Sequence, residues 1–191
     1  LFPYTTLFRS KHNTEQECRA ILSHCRELFE KKLHDYGSAW RILRPESLTD
    51  QIYIKAERIR SLQINGYAAV DEGVEPEFVG IINYGIIGMI QLERGTVSAP
   101  DLSPEEALRE YDRYAEKTLQ LMLAKNHDYG EVWRNMRVTS MTDLILSKVH
   151  RTKQIEDLRG ETFVSEGIEA NYMDMVNYAL FCLIKLNTTE A

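Results

Sequence analysis

Residues 32–58 read KLHDYGSAWRILRPESLTDQIYIKAER, and residues 125–151 read KNHDYGEVWRNMRVTSMTDLILSKVHR. The two stretches align without a gap, and 14 of their 27 positions are identical. After one residue inserted in the second stretch the match resumes, so that Asn83-Tyr84 corresponds to Asn177-Tyr178. The chain is therefore a tandem duplication, and positions kept in both repeats can be separated from positions changed in one.

Apolar residues recur at intervals of three and four along most of the chain, which is the period of an amphipathic helix. No segment shows the alternation typical of a strand. The pattern predicts three main helices per repeat: residues 14–33, 47–62 and 76–94, then 105–126, 140–158 and 169–186. We therefore predict an all-α fold, a tandem duplicated helical repeat whose halves pack as a pseudo-twofold bundle.

Capping patterns mark the predicted helix starts and the boundary between the repeats. Ser47 and Ser140 each stand three residues before an aspartate, which resembles a capping box. The stretch Ser103-Pro104-Glu105-Glu106 offers an N-cap serine, a proline at the first helical position and a glutamate at the third. We assign residues 11–98 to the first repeat and residues 99–191 to the second, and expect the two to form one compact unit.

The first ten residues, LFPYTTLFRS, resemble the in-frame translation of a short-read sequencing adapter. No initiating methionine precedes them. We expect residues 1–10 to be an artefact and exclude them from the fold prediction.

The charge balance limits the partners that the chain is expected to bind, and the cysteines indicate the cellular compartment. The chain has 23 basic and 29 acidic side chains, a net charge of -6, which disfavours duplex DNA but leaves room for a small phosphorylated ligand. Its three cysteines lack disulfide or zinc spacing, so we expect reduced, buried thiols and a cytoplasmic location. The longest apolar stretches contain polar residues and fall short of a membrane span.

The His-Asp-Tyr-Gly tetrapeptide, kept in both repeats, has two interpretations. Gly37 and Gly130 follow predicted helices and suit left-handed C-caps. Capping alone tolerates several residue types, however, so it does not explain why the three residues before each glycine are kept. The alternative is a polar cluster at a ligand site, made of His34, Asp35 and Tyr36 in the first repeat and His127, Asp128 and Tyr129 in the second.

Two cations lie along the apolar edge of each predicted second helix, at Lys55 and Arg58 and at Lys148 and Arg151. Half-buried cations require partners. They form either structural salt bridges to carboxylates of the third helix or a phosphate clamp, in which arginine gives a bidentate grip and lysine a point charge. The sequence leaves both alternatives open.

The loop between the first two helices of each repeat keeps a tryptophan and an arginine. Trp40 and Trp133 suit a plug that closes the bundle better than a platform for stacking a base. Arg44 and Arg137 add cations to the candidate ligand sites.

The carboxylates of the last helix distinguish the two repeats. Glu166, Asp174 and Asn177 project onto one polar flank of this helix, with Glu169 at its other edge. Oxygen ligands on neighbouring turns suit Mg²⁺, whereas the alternative is a solvated acidic face that pairs with Lys or Arg. Gly80 replaces Asp174 in the first repeat, so we expect the second repeat to hold the intact site.

These motifs resemble a known family. The pattern Lys-x-His-Asp-Tyr-Gly, Trp, Arg, Ser-x-Thr-Asp, Lys-x-x-Arg, Glu-Gly-x-Glu and Asn-Tyr is similar to that of the bacterial and phage family called domain of unknown function 1599, or nucleotide modification associated domain 1. The likeness covers residues from about 15 to 186, and resembles the duplicated form found in Bacteroidetes. The resemblance implies a role in nucleotide or base modification.

A more distant similarity is to the all-α nucleotide pyrophosphohydrolases of the MazG and dimeric dUTPase kind. Those proteins are helical bundles that bind Mg²⁺ through acidic motifs, Glu-Glu-x-x-Glu and Glu-x-x-Asp. In this chain Glu110 follows Glu105-Glu106 one residue later than in that motif, and Glu169 and Asp174 are five residues apart rather than three. The similarity is therefore an analogy of fold.

We expect a nucleotide or other phosphorylated small molecule to bind in clefts between the second and third helices, with hydrolysis by a Mg²⁺-bound water as one mechanism. The metal candidates are Glu166, Glu169 and Asp174. The ligand candidates are His34, Asp35, Tyr36, Arg44, Lys55, Arg58 and Asn83 in the first repeat, and His127, Asp128, Tyr129, Arg137, Lys148, Arg151 and Asn177 in the second. The alternative is a non-catalytic helical interaction module of a nucleotide or DNA modification system, and homo-oligomerisation stays open.

Overall fold

The computed structural model describes residues 4–66, 73–158 and 167–189, with side chains from Thr14 to Thr188 within these ranges. These ranges contain no strand and six α-helices: α1 (Tyr4–Tyr36), α2 (Pro45–Asn65), α3 (Glu75–Arg94), α4 (Pro104–Tyr129), α5 (Val138–Asp157) and α6 (Ile168–Thr189). Short 3₁₀ turns at Ala39–Ile42 and Val132–Asn135 join the first two helices of each repeat. The all-α prediction, with three main helices per repeat, is confirmed. None of the described helices combines the length and the apolar character needed to cross a membrane.

Each helix packs against its own counterpart from the other repeat. α3 lies against α6 at the centre, α2 lies against α5, and α1 lies against α4. Within each repeat the second helix packs along the third. This pairing of equivalent elements is what a pseudo-twofold arrangement of two repeats produces.

Glycines allow the central helices to approach each other closely. A side chain at Gly85 would place its Cβ 2.6 Å from Cγ2 of Val176, and one at Gly88 would place it 2.9 Å from the ring of Tyr172. Both distances are below van der Waals contact. α3 and α6 are therefore closely packed and largely buried, and they form the core that both repeats share.

The helix starts differ in part from the predicted capping pattern. Ser103 accepts a hydrogen bond from the Glu106 N–H (3.2 Å), and the Glu106 carboxylate accepts one from the Ser103 N–H (3.3 Å), so the capping box of α4 is confirmed. The predictions at Ser47 and Ser140 are wrong. α2 begins at Pro45 and α5 at Val138, after N-cap residues Arg44 and Arg137 whose side chains make no capping bond. The 3₁₀ turns lead almost directly into these helices, and each helix therefore starts before its serine is reached.

The interface between α2 and α5 contains two equivalent polar contacts, one from each repeat. One of them includes a carboxyl group where the other has an amide. Gln63 donates to Oγ1 of Thr142 (3.0 Å), while at the equivalent place Thr49 Oγ1 donates to the carboxylate of Glu156 (3.3 Å). Burial raises the pKa of Glu156 from an ordinary value of 4.5 to about 7, and the negative charges of Glu46 and Asp50 add to the rise. A titrating carboxyl thus stands where the first repeat has a neutral amide.

Replacing Glu156 with glutamine is expected to make the stability of the protein less dependent on pH. Because the folded-state pKa is raised, the folded state has its full stability below about pH 4.5 and loses stability as pH rises through 7. The variant should therefore be more stable than the parent at pH 8, by about 1 kcal/mol after allowance for the partial solvation of the carboxyl. Urea unfolding at pH 8 and pH 5 measures the difference.

The matched control for this substitution is Glu57→Gln, at an exposed position of α2. This variant should change stability by the same small amount at both pH values. An equal effect of Glu156→Gln at pH 5 and pH 8 would contradict the expected titration.

Arg41 is the largest fully buried side chain among the described residues, at 1% exposure. Its guanidinium donates to Asp101 (2.8 Å), to the carbonyl of Gly95 (2.8 Å) and to the side chain of Gln91. Gln91 in turn donates to the carbonyls of Arg41 (2.9 Å) and Leu43 (2.6 Å). Arg41 therefore holds the first 3₁₀ turn against the end of α3 and the linker to the second repeat.

The equivalent Arg134 is tied differently. Its side chain is half-buried and contacts Glu131 (3.0 Å), Thr14 (2.7 Å) and the ring of Trp133. Lys185, the counterpart of Gln91, donates to the carbonyl of Arg134 (2.5 Å). Both repeats thus fasten this turn to their third helix through a hydrogen bond to the arginine carbonyl.

The three cysteines agree with the expectation of unpaired, buried thiols. Cys18, Cys25 and Cys182 are all buried and form no disulfide. Burial raises the pKa of each thiol to about 12. At neutral pH the thiols are therefore protonated and unreactive.

Candidate functional site

The first repeat encloses a large cleft between α1, the 3₁₀ turn, α2 and α3, which we call the first cleft. Its volume is about 720 Å³. Its described lining includes the polar and aromatic side chains of Phe29, Lys32, Tyr36, Trp40, Lys55, Arg58, Glu77, Asn83 and Tyr84, together with Gly37 and Gly80. All of these come from the first repeat.

The second repeat has a smaller cleft at the equivalent place, which we call the second cleft. Its volume is about 190 Å³. Its lining includes the counterparts of six residues of the first cleft, namely Lys125, Tyr129, Trp133, Asp174, Asn177 and Tyr178. The duplication has therefore produced two related clefts of unequal size.

Larger side chains account for the smaller volume of the second cleft. Three positions are enlarged there: Asp174 against Gly80, Val132 against Ala39, and Phe181 against Ile87. The ring of Phe181 stacks on Trp133 with 4.3 Å between the ring centroids. The tryptophan of the second repeat thus acts as the predicted plug, whereas Trp40 is only partly buried and stands 6.1 Å from Phe29.

A buried carboxylate contacts two cations in the first cleft. Glu77, at 5% exposure, contacts Lys55 (3.2 Å) and Arg58 (2.9 Å). Lys32 is exposed and makes no ion pair with any residue that the structure describes. Among the described lining residues, three cations therefore stand against one carboxylate.

Gly80 leaves room for the side chain of Lys55. A Cβ at this position would lie well inside van der Waals contact of the Lys55 Cδ. The lysine stem can therefore cross the surface of α3 here on its way to Glu77. A side chain at position 80 would therefore displace the end of the Lys55 side chain.

In the second cleft the carboxylate stands one helical turn later. Asp174, at 9% exposure, contacts Lys125 (2.8 Å) and Lys148 (3.0 Å), which are the counterparts of Lys32 and Lys55. Asn171 occupies the position equivalent to Glu77. The first repeat has thus not simply lost the carboxylate, as expected from Gly80, but carries it three residues earlier on α3.

The predicted metal ligands do not come together among the described residues. Both oxygens of Asp174 contact lysine ammonium groups, and Glu169 pairs with Lys117 of α4 (2.5 Å). Glu166 lies outside the described residues. Within the described ranges, no group of three His, Cys, Asp or Glu side chains could hold a metal ion. The donors that Mg²⁺ prefers are therefore not assembled there.

The His-Asp-Tyr-Gly tetrapeptides contribute their tyrosines to the clefts. Tyr36 and Tyr129 line the rims and are each 74% exposed. The preceding residues line neither cleft; His34 contacts Asp35 (3.2 Å), and His127 contacts Asp128 (3.2 Å), all exposed. Gly37 and Gly130 have positive φ angles of 61° and 66°, as predicted for glycines that end a helix. The ψ angle of Gly130 is -158°, however, so this residue does not adopt the αL conformation expected of a left-handed C-cap.

The other predicted ligand residues fall into two groups. Lys55, Arg58 and Asn83 line the first cleft and Asn177 lines the second. Lys148 reaches the second cleft through Asp174. Arg44 and Arg137 are exposed N-cap residues outside the lining of both clefts, and half-buried Arg151 is also outside it.

Asn83 is held rigidly at the back of the first cleft. It accepts a hydrogen bond from Tyr111 Oη (2.7 Å) and donates to the carbonyl of Cys25 (3.2 Å). Asn177 donates to the equivalent carbonyl of Thr118 (3.5 Å). It has no counterpart of the Tyr111 hydroxyl, because Cys18 occupies the position equivalent to Tyr111. The two asparagines therefore share one role in positioning the third helix against the first.

Sequence reasoning missed several residues of the first cleft, chiefly Lys32, Tyr84 and Glu77. The first two are identical in both repeats, which was a usable signal. Glu77 could have been found from the exchange between repeats, since Glu77 and Gly80 in one correspond to Asn171 and Asp174 in the other. A carboxylate that shifts by one turn keeps the same face of a helix.

Comparison with known families gives one match. The model of nucleotide modification associated domain 1, a domain of unknown function, matches residues 32–92 and again residues 125–186. The chain therefore belongs to this family and contains its domain twice. No curated protein and no solved structure matches the chain.

Proposed function

We propose that this member of the nucleotide modification associated domain 1 family binds a nucleotide, or a similar phosphorylated small molecule, in the first cleft. The comparison of the two clefts carries the proposal. In the second cleft the Asp174 carboxylate lies between Lys125 and Lys148. The first cleft keeps both lysines but has a glycine at that position, and Glu77 contacts Lys55 and not Lys32. An anion from outside the chain therefore takes the place of the carboxylate beside Lys32.

The size and the lining of the first cleft support a ligand of nucleotide dimensions. Small-molecule sites commonly enclose about 300–1,000 Å³, and this cleft encloses about 720 Å³. Trp40, Tyr36 and Tyr84 offer ring surfaces near the cations. A ligand with a phosphate at one end and a flat base at the other matches this arrangement.

The local charge favours a phosphate in a chain that is acidic as a whole. In the described part of the lining, Lys32, Lys55 and Arg58 stand against the carboxylate of Glu77. Arginine binds phosphate oxygens in pairs, while a lysine ammonium adds a compact charge. A positive cleft within a chain of net charge -6 also concentrates an anionic ligand at this place.

The proposed function is binding, without a hydrolytic step. Glu77 is the one carboxylate among the described residues that line the first cleft, and its oxygens already contact Lys55 and Arg58. A Mg²⁺ site built on this lining would lack the further carboxylate donors that such a site needs. The chain then acts as a nucleotide-binding component of a modification system.

Replacing Lys32 with methionine tests the proposal. The expected result is a loss of about tenfold or more in nucleotide affinity, because a hydrogen bond to a charged group is worth roughly 1.5–3 kcal/mol. Isothermal titration calorimetry with a panel of canonical and modified deoxynucleotides, without divalent metal, measures the change.

Lys31→Met is the matched control, since it removes the same charge from an exposed neighbouring position on α1 outside the cleft lining. This variant should bind like the parent. Absence of binding by the parent chain across the panel, or equal losses in the two variants, would contradict the proposal.

A further inference from the structure

A groove distinct from both clefts lies between α1, the first turns of α3 and the end of α6. Its volume is about 620 Å³. The apolar floor consists of Ile21, Val79, Leu183 and Ile184. Glu17, His24 and Glu75 bring polar groups to the same groove, which we call the acidic groove.

The equivalent place in the pseudo-twofold arrangement is filled by side chains of α4. Tyr114 donates to Glu93 (2.7 Å), Arg113 pairs with Glu110 (2.9 Å), and the Arg113 guanidinium lies 4.5 Å from the centre of the Tyr114 ring. Lys117 pairs with Glu169 (2.5 Å). An aromatic ring with neighbouring cations therefore occupies this place, and carboxylates hold the cations.

Two of these carboxylates have counterparts in the acidic groove, but the aromatic and basic residues that contact them do not. Glu17 corresponds to Glu110, and Glu75 corresponds to Glu169. The three filling residues are replaced as follows: Ala20 for Arg113, Ile21 for Tyr114, and His24 for Lys117. The second repeat thus shows which chemistry fits the space that the first repeat leaves open.

The carboxylates of the acidic groove also have unused capacity. Glu17 contacts Arg134 through Oε1 (3.4 Å), but its Oε2 is buried without a hydrogen-bond partner in the described part of the chain. Glu75 makes no ion pair with any described residue. Because Glu75 is unpaired among the described residues and part of the Glu17 side chain is exposed, these carboxylates would stabilise a cation from a partner.

We infer that the acidic groove binds a partner protein through a short segment that presents an arginine next to an aromatic residue. The aromatic ring packs on Ile21, Val79 and Ile184, as Tyr114 packs in the other repeat. The cation pairs with Glu75 and Glu17. An aromatic side chain contributes a large apolar area, and the arginine contributes charge-assisted hydrogen bonds, which together fit the apolar floor and the acidic edge.

A peptide of residues 109–118, REYDRYAEKT, is the probe, because it carries the side chains that fill the equivalent place. We expect it to bind the full chain weakly and to shift the methyl resonances of Ile21, Val79 and Ile184 in NMR titrations. A control peptide with Arg113→Glu and Tyr114→Ser should leave these resonances unchanged. Equal shifts from both peptides, or no shift at about 1 mM peptide, a concentration that would populate even a weak complex, would overturn the inference.

A double variant, Ala20→Arg with Ile21→Tyr, supplies a second test. It places on α1 the residues that α4 carries at the equivalent positions, so the chain should fill its own groove. Peptide binding should be lost while nucleotide binding in the first cleft is unchanged. Unchanged peptide affinity in a folded double variant would also overturn the inference. The peptide test does not depend on the first cleft, so it stays valid even if the parent chain binds no nucleotide.

Discussion

Replacing Gly80 with aspartate is expected to reduce nucleotide affinity of the first cleft by more than about 30-fold, equivalent to about 2 kcal/mol. The new carboxylate would take the place that Asp174 has in the second cleft, between Lys32 and Lys55. It would neutralise the lysines on which the phosphate depends, and compete with the ligand at short range. Lys55 must move, since its Cδ lies too close to the position of the added Cβ, but a flexible side chain can do so at small cost.

Gly80→Asn is the control that separates charge from size. Asparagine has nearly the volume of aspartate and carries no charge, so its variant should keep affinity within about tenfold of the parent. Calorimetric titration of both variants with the tightest-binding nucleotide gives the comparison. Equal losses in the two variants would show that the added volume blocks the cleft and that the lysine pair does not form the anion site.

Replacing Arg41 with methionine is expected to destabilise the fold by about 3 kcal/mol, which is typical when one partner of a buried charged network is removed. The guanidinium donates to Asp101, Gly95 and Gln91 from a fully buried position. Methionine fills much of the volume but leaves the Gly95 carbonyl and the Gln91 side chain without their donor. Urea unfolding followed by far-UV circular dichroism measures the loss.

Arg44→Met is the control for charge removal from the same loop, because Arg44 is exposed. Its effect should stay within about 0.5 kcal/mol, as for most surface positions. Arg41→Lys should recover part of the stability, since an ammonium can reach Asp101 but cannot serve three acceptors in a fixed plane. A loss below about 1 kcal/mol for Arg41→Met would contradict the role assigned to this residue.

The architecture could be predicted because its cause is spread over many residues. The apolar spacing along each helix and the repetition of residues 32–58 as 125–151 both act over dozens of positions, so no single substitution conceals them. The starts of α2 and α5 could not be predicted from Ser47 and Ser140. A cap pattern rests on two residues, and the preceding 3₁₀ turn determined where these helices begin.

Residues of the candidate site could be predicted from the sequence only where helical geometry determines the direction of a side chain. Lys55 and Arg58 were expected at the edge of the core, and both line the first cleft. His34 and Asp35 follow no such rule at the end of α1, and they line neither cleft. Identity between the repeats shows which residues are under a shared constraint. It does not show whether such a residue lines a cleft or lies at an exposed helix end.

The sequence favoured the second repeat as the ligand site because of one carboxylate, Asp174. The ion pairs of that residue depend on which lysines the fold brings to it, and these come from α4 and α5. The sequence shows neither pair. Only the three-dimensional arrangement makes Asp174 an occupant of its own cleft, and so transfers the proposed ligand site to the first repeat.

The pairing of α3 with α6 has a consequence for how the chain unfolds. Each of these helices buries one face within its own repeat and another against the opposite repeat. A fragment ending at residue 98 would expose the face of α3 that α6 covers, including Gly85 and Gly88. Although the repeats have separate clefts, we expect neither to unfold while the other stays native, so that the chain unfolds as one cooperative unit.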